Sequence, residues 1–260
     1  MPKSRSKHSA QSLDQPLVSE QSGVRYLHFD SPWIQGAMQV NQPNRLVLAY
    51  TEQMMAWLLF LQPEPNAKIG QLGLGAGALT RFCLKHLPNP LLIVEWNPHV
   101  IQVCQQFFKL STQPRYQVIQ DDAGKWVQNS HNLGSCDVLM VDLYDTHARG
   151  PVRDSLDFYQ HCFNVLAPVG VMVVNLFGAH ESFDRNVRHI QAAFAGRLLF
   201  LPQIDEGNQI VLAFKGPTIQ VIWSDLFDRA QFIEKKYQLP ALKWVKSMVS
   251  RLIEGQLVIN

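Results

Sequence analysis

The sequence has no pair of cysteines at the spacing of a metal site or a redox motif. Its four cysteines, Cys83, Cys104, Cys136 and Cys162, are scattered through apolar segments. This pattern predicts buried, reduced thiols rather than disulfides or metal ligands. The nine histidines show no metal-ligand spacing either. We therefore expect neither a metal nor a permanently bound cofactor.

Charge and long apolar runs are also scarce. Only 17% of the 260 residues are charged and the net charge is +2, so the chain has no electrostatic footprint for duplex nucleic acid. No apolar run reaches the length of a membrane-spanning helix, and residues 1–22 lack the apolar centre of a secretory signal. We predict a cytoplasmic protein without nucleic-acid or membrane partners, whose residues 1–22 form a disordered tail.

Short apolar runs that alternate with amphipathic segments predict an α/β protein. Runs of strand length, such as Leu91–Val94 and Asp137–Val141, are separated by segments with apolar residues at helical spacing. Strands that alternate with helices form a mainly parallel, doubly wound sheet. We predict such a Rossmann-like domain over residues 51–216, preceded by a small β segment at 23–50 and followed by a helical extension at 217–260.

Several segments outside this alternation carry predictions of their own. Residues Arg45–Ala49 are predicted to be a strand, and the nearly all-apolar segment Thr51–Leu61 a buried helix. Residues Leu198–Leu201 and Gln209–Phe214 could pair as late strands. Two helices split by Pro240 are expected in the C-terminal extension.

The most informative stretch runs from Lys68 to Glu95. An apolar run leads into Gly73, Gly75 and Gly77, and a helical segment and a second apolar run follow. Glycines at such a turn let the backbone approach a ligand, and the next helix offers free N–H groups. An acid about 20 residues later suits the two ribose hydroxyls. The unit predicts a nucleoside site, and a plain tight turn with a solvated Glu95 is the alternative.

The later predicted strands also end in polar residues. Two of them end in Asp122 and Asp142, and the fifth ends on Asn175. Ligands of a doubly wound sheet lie outside the carboxyl ends of its strands. We therefore expect these acids to share a pocket with Glu95. Asp122 could accept an adenine amino group while the backbone N–H of Ala123 donates to a ring nitrogen, which leaves Asp142 beside the reactive part of the ligand.

Four segments occur in the order GLGAGALTRF, IVEWNPHVIQV, VIQDDAGKWV and DVLMVDLYDTHARGP. In this order they resemble the polyamine aminopropyltransferases, the spermidine synthases, over roughly Tyr26 to Lys215. The most specific signal is Asp142-x-x-Asp145 followed by Gly150. The resemblance implies a methyltransferase-like Rossmann domain behind a small N-terminal β segment, assembled as a homodimer.

The resemblance implies transfer of an aminopropyl group from decarboxylated S-adenosylmethionine to putrescine or a related amine, with methylthioadenosine leaving. It assigns Glu95 to the ribose, Asp122 to the adenine and Gln35 to the surroundings of the sulfonium. Asp142 would take or orient the amine proton, and Asp145 would be its neighbour in the amine site. The chemistry agrees, because a carboxylate can hold an ammonium and accept its proton as the new bond forms.

The sequence departs from the family in the aminopropyl and amine halves of the site, whereas the nucleoside half matches. The family's glycine turn usually reads GGGDGG, and Ala76 replaces the acid that holds the ligand's terminal ammonium. Thr146 stands where the family usually has proline, and the late tyrosine-containing loop reads LPQIDEGNQ instead. Two other functions therefore remain open: an S-adenosylmethionine-dependent small-molecule methyltransferase and a non-catalytic nucleoside-binding protein. Gln71, where such methyltransferases often carry an acid, counts against the first of these.

Overall fold

The computed structural model describes residues 14–30, 33–145, 150, 152–178, 180–204 and 207–260. The chain begins with an antiparallel sheet of β1 (Leu17–Gln21), β2 (Val24–His28) and β3 (Ile34–Gln39). Ser22 and Gly23 join the first two strands with positive φ angles of 52° and 76°, as in two-residue hairpin turns. The prediction of a disordered tail is therefore wrong for Leu17–Gln21, which pairs with β2 along its whole length.

A buried helical segment links this small sheet to the main domain. Helix α1 covers Ala49–Gln53 and continues as a 3₁₀ helix over Met54–Leu59, all six residues of which are buried. The helix predicted over Thr51–Leu61 is thus confirmed, but the strand predicted over Arg45–Ala49 is wrong. The backbone N–H groups of Thr51 and Glu52 bond to the carbonyl of Leu48, so the first helical turn already occupies the end of that segment.

A seven-stranded sheet forms the centre of the molecule. Its strands are β4 (Ile69–Leu72), β5 (Leu91–Glu95), β6 (Tyr116–Gln120), β7 (Cys136–Val141), β8 (Leu166–Phe177), β9 (Leu198–Phe200) and β10 (Asn208–Lys215). They lie in the order β6-β5-β4-β7-β8-β10-β9. The first five in this order are parallel to one another, and β10 is antiparallel to both β8 and β9. The predicted doubly wound α/β sheet is confirmed, and so is the pairing of the two late strands.

Helices cover both faces of this sheet. They are α2 (Ala78–His86), α3 (Pro98–Phe107), α4 (Ala123–Gln128), α5 (Leu156–Val165) and α6 (Phe183–Ala193). Side chains alternate across the sheet: Val138 and Met140 of β7 pack into one core cluster, and Leu139 and Val141 pack into the other. A strand that is buried on both faces is expected to be apolar throughout. The functional groups of the chain are therefore left to the strand ends.

The C-terminal segment contains both helices and strands. It consists of β11 (Ile219–Ile222), α7 (Trp223–Tyr237), α8 (Ala241–Lys246), β12 (Leu252–Ile253) and β13 (Gln256–Ile259). The two helices on either side of Pro240 are confirmed, but the sheet of order β11-β13-β12 was not predicted. Leu226, Ala230 and Ile233 of α7 pack into the core of the main domain. No helix in the described ranges has the length and apolar character needed to cross a membrane.

Candidate active site

The carboxyl ends of β4, β5, β6 and β7 open onto one cavity of about 840 Å³. Its walls include most residues predicted for the site, namely Gln35, Gly73, Gly75, Glu95, Asp122, Ala123, Asp142 and Asp145. Gly77 is the exception, because it precedes α2 and a Cβ there would face Arg81 and Leu110. The parallel order of the strands is what brings acids from distant parts of the sequence together.

The glycine turn lies directly against the end of β7. Gly73 has a φ of +89°, and a Cβ at this position would lie 2.2 Å from the carbonyl oxygen of Asp142. Real Cβ atoms do not approach an oxygen so closely, and L side chains rarely adopt this φ. Gly75 also has a positive φ, +52°. The turn therefore needs glycine for its contact with the Asp142 backbone as well as for its path along the cavity.

Glu95 ends β5 and is held by the backbone. Its Oε2 accepts from the backbone N of Leu74 at 2.9 Å, and its Oε1 accepts from the backbone N of Asn97 at 2.8 Å. Burial raises the pKa of Glu95, and these backbone hydrogen bonds oppose the rise. A carboxylate can accept about four hydrogen bonds. Glu95 thus retains acceptor capacity toward the cavity while its orientation is fixed.

Asp122 is the N-cap residue of α4. Its Oδ1 accepts from the backbone N of Lys125 at 3.0 Å, and its Oδ2 accepts from Nη2 of Arg153. Burial raises the pKa of Asp122, but the hydrogen bonds from Arg153 and from the helix outweigh it, so the net pKa is lowered. Asp122 therefore stays ionised. Arg153, which is not among the residues predicted for the site, also lines the cavity.

Asp142 directly follows β7 and is held by side chains. Its Oδ1 accepts from Nδ2 of Asn175 at 2.9 Å, and it also bonds to the side chain of Tyr50 on α1. Burial raises the pKa of Asp142, and both hydrogen bonds oppose that rise. A carboxyl group whose pKa is raised in this way is a better proton acceptor than a solvated aspartate.

A second layer of polar side chains lies behind Asn175. Nδ2 of Asn208, at the start of β10, donates to Oδ1 of Asn175 at 3.0 Å. The hydroxyl of Tyr144 donates to the backbone carbonyl of Asn175 at 3.3 Å and is hydrogen-bonded to the Asn208 side chain. Burial raises the pKa of Tyr144 well above its usual range, so it remains a neutral phenol. All of these side chains line the cavity.

The small N-terminal sheet forms the wall of the cavity beside the glycine turn. Nε2 of Gln35 donates to the backbone carbonyl of Asp145 at 2.9 Å. A Cβ at Gly36 would lie 2.5 Å from the Cβ of Ala76, so β3 packs tightly on the turn. A void of about 10 Å³ beside Ala76 has room for about one water molecule. Ala76, which stands where the aminopropyltransferases have an acid, therefore makes a packing contact with β3.

Three residues of the site carried no interpretable signal in the sequence. Tyr50 precedes the sheet by a whole helix, and Tyr144 stands between the two aspartates of the predicted amine site. Asn208 reaches the cavity because β10 runs antiparallel beside β8, opposite Phe177. Their positions depend on tertiary packing. Among the described residues, no group of three or more His, Cys, Asp and Glu side chains is arranged to hold a metal ion.

The chain is similar to known proteins over most of its length. The family model described as the spermine/spermidine synthase domain matches residues 47–195. A polyamine aminopropyltransferase of Chromobacterium violaceum is 30% identical over 237 residues, which cover 90% of this chain and 89% of the relative.

Solved structures share the fold at lower identity. A probable spermidine synthase from Corynebacterium glutamicum is 18% identical with a TM-score of 0.69, over 85% of this chain and 90% of that one. Human methyltransferase-like protein 13, solved in complex with SAH, is 24% identical with a TM-score of 0.65, over 74% and 93%. Both establish the Rossmann-type methyltransferase fold.

Proposed function

The chain belongs to the spermine/spermidine synthase family of transferases, and we propose that it transfers an aminopropyl group from decarboxylated S-adenosylmethionine to a polyamine such as putrescine, with release of methylthioadenosine. The observation that carries this proposal is the single cavity with carboxylates at both ends. Glu95 and Asp122 line it where β5 and β6 end, and Asp142 and Asp145 line it where β7 ends, on the other side of β4. A cationic nucleoside and a cationic amine both find acids there.

The nucleoside is assigned to the end lined by Glu95. The free lone pairs of Glu95 accept from the ribose hydroxyls, and Asp122 accepts from the adenine amino group while the backbone N–H of Ala123 donates to the ring. Gly73 and Gly75 let the turn approach the ligand. In this arrangement residues 51–216 bind the nucleoside, and the segment 23–50 contributes Gln35 beside the sulfonium.

The amine is assigned to the end lined by Asp142 and Asp145. An alkylamine is protonated at neutral pH, so it first binds as an ammonium between the two carboxylates. Asp142 accepts one of the ammonium protons, and the lone pair that this frees on the nitrogen then attacks the aminopropyl carbon. A C–N bond forms, the C–S bond breaks, and its electron pair goes to sulfur, which leaves as the neutral thioether methylthioadenosine. The sulfonium is already an activated leaving group, so alignment of the two substrates supplies much of the remaining rate.

The test is a product analysis with each donor alone. The protein is incubated with putrescine and either decarboxylated S-adenosylmethionine or S-adenosylmethionine, and methylthioadenosine and S-adenosylhomocysteine are quantified. Methylthioadenosine together with spermidine, formed only from the decarboxylated donor, is the expected result. The absence of turnover with both donors, with nucleoside binding retained in calorimetry, would overturn the proposal in favour of a nucleoside-binding protein without catalysis.

Methyl transfer from S-adenosylmethionine is the second candidate function. The observation that favours it is Ala76, which is buried against Gly36 and offers no carboxylate to the ammonium of the donor tail. That position does not repel the carboxylate of S-adenosylmethionine either. S-adenosylhomocysteine as the sole nucleoside product of the same assay would establish this function instead.

The assembly and location that we propose rest on the family resemblance alone. We propose a homodimer in the cytoplasm, as the family pattern implies. Light scattering on the purified chain at several concentrations tests the dimer, for which the expected mass is twice 29.6 kDa. A monomeric mass at every concentration would contradict it.

A further inference from the structure

Asp142 is the last member of a row of hydrogen bonds that begins outside its own loop. Nδ2 of Asn208 lies 3.0 Å from Oδ1 of Asn175, and Nδ2 of Asn175 lies 2.9 Å from Oδ1 of Asp142. Asn175 is 1% exposed, so water does not compete for its amide. The row joins the start of β10 to the end of β7 through the C-terminal end of β8.

The direction of the hydrogen bonds in this row is set at Asn208, the residue farthest from Asp142. The Asn208 side chain is hydrogen-bonded to the phenol oxygen of Tyr144, and a phenol has only one proton to donate. The Tyr144 hydroxyl itself donates to the backbone carbonyl of Asn175. The amide of Asn208 therefore offers its N–H groups to Tyr144 and to Asn175.

The orientation of Asn175 follows from this contact. A side-chain amide has one acceptor oxygen and one donor nitrogen, and the two can exchange places by rotation about the last side-chain bond. An N–H of Asn208 on Oδ1 holds the oxygen of Asn175 away from Asp142. Its nitrogen then points at Asp142, where it stabilises the carboxylate rather than the protonated acid.

On the basis of the proposed function, we propose that Asn208 and Tyr144 are positioning residues for the transfer reaction: they fix the amide of Asn175 so that Asp142 always receives an N–H and meets the incoming amine as a carboxylate. Without them the amide can turn its oxygen toward Asp142. Two facing acceptors are compatible only with a protonated carboxyl group, which cannot accept the proton of the amine.

Few titratable groups face Asp142 from the elements packed against it. Tyr50 on α1 bonds to it, and Tyr144 and Asp145 follow it on its own loop. The described parts of β8 and β10 contribute no titratable side chain to the cavity, which they line with the amides of Asn175 and Asn208 and the ring of Phe177. Burial raises the pKa of both tyrosines far above neutrality, so neither changes charge over the range in which the carboxylate titrates.

The experiment compares pH profiles of kcat/KM for Asn208→Leu and Asn208→Asp with that of the unaltered chain. Loss of the N–H in Asn208→Leu should move the acidic limb upward by about one pH unit, a tenfold loss of activity on that limb. The added carboxylate in Asn208→Asp should attract the amide nitrogen of Asn175 and move the limb further, by about two units. Tyr144→Phe should shift the limb in the same direction by a smaller amount.

The matched control is Gln209→Leu. Gln209 is the next residue of β10, its side chain points to the opposite face, and its Nε2 donates to the carbonyl of Leu201. Its pH profile should be unchanged. Equal activity losses for Asn208→Leu at every pH, with no shift of the limb, would reduce Asn208 to a structural role and overturn the proposal.

A second readout does not depend on turnover. In protein labelled with ¹³C at the aspartate carboxyl groups, the Asp142 signal is the one missing from Asp142→Asn, and its titration can be followed by NMR. An upward shift of its pKa in Asn208→Leu supports the positioning role even where no transfer is detected. An unchanged titration overturns the role even where transfer is normal, so its failure is distinguishable from failure of the proposed function.

Discussion

The two ends of the cavity hold their acids in different ways. Glu95 is oriented by backbone N–H groups of Leu74 and Asn97, its close neighbours in the glycine turn and in the loop after β5. Asp142 is oriented by side chains, Tyr50 on α1 and Asn175 on β8. Backbone donors come with the turn whatever the side chains are, whereas side-chain donors exist only while those particular residues are present. Backbone donors hold both acids of the nucleoside end, where Arg153 adds a side-chain donor to Asp122, whereas side-chain donors hold Asp142 at the amine end.

The substitution Asp142→Asn should have the largest effect, and this effect should be confined to the amine end. It removes the proton acceptor but keeps the size of the side chain, so kcat should fall by about 10²–10⁴-fold. The affinity for methylthioadenosine, measured by calorimetry, should stay within about twofold, because uncharged nucleoside contacts lie at the other end. Asp137→Asn is the control, since that carboxylate lies at the opposite end of the same strand and accepts from the backbone N of Lys68. Unchanged turnover would remove Asp142 from its role.

Glu95→Gln tests the opposite end. The new amide has one acceptor oxygen, so its nitrogen must face the backbone N–H of Leu74 or of Asn97 and no longer serves both ribose hydroxyls. Loss of a hydrogen bond to a charged group costs about 1.5–3 kcal/mol, which corresponds to a Kd for methylthioadenosine about 10–100-fold weaker. Turnover at saturating donor should change less than affinity. The exposed Glu64→Gln is the control, and equal affinities would refute the ribose assignment.

Asp122→Ala should produce a smaller loss of affinity, about tenfold, by removing one acceptor of the adenine amino group. It also removes the N-cap of α4, which should lower the free energy of unfolding by about 1 kcal/mol. Ser155→Ala separates the two effects, because Ser155 caps α5 by accepting from the backbone N of Phe158. Ser155→Ala should lose stability in thermal unfolding and keep its affinity for methylthioadenosine. An Asp122→Ala protein with unaltered affinity would exclude Asp122 from adenine binding.

A mild pH dependence of nucleoside binding should be the smallest effect. Burial raises the pKa of Glu95, whereas the pKa of Asp122 is lowered because hydrogen bonds outweigh its burial. As the pH falls, Glu95 is therefore protonated first and stops accepting from both ribose hydroxyls. We expect binding to weaken a few-fold, about 1 kcal/mol, over the acidic range. This loss should persist in Asp122→Ala and disappear in Glu95→Gln, and its persistence in Glu95→Gln would assign it to another group.

The difference between groups placed by the strand ends and groups placed by tertiary packing also explains which parts of the site could be predicted from the sequence. Glu95 and Asp142 lie at the ends of apolar runs of strand length, Asp122 follows the predicted strand Arg115–Gln120, and parallel strands carry such residues to the same edge. Tyr50 reaches Asp142 through the packing of α1, and Asn208 reaches Asn175 through the antiparallel register of β10; no local sequence pattern encodes either contact. The periodicity of apolar residues does not reveal contacts between side chains that lie far apart in the sequence.

The sequence predicts neither β1 nor the C-terminal sheet, and in both cases the cause is local. The hairpin of β1 was assigned to the tail because Leu17–Gln21 has few apolar residues, although the Ser22-Gly23 turn was present. The C-terminal sheet was missed because its strands span two to four residues, too short to show alternation.

A crystal structure with methylthioadenosine bound tests the central claim most directly. We predict that the ribose hydroxyls lie within hydrogen-bond distance of Glu95, the adenine amino group faces Asp122, and the sulfur points toward Asp142. A nucleoside bound outside this cavity, or one whose sulfur points away from Asp142, would contradict the account.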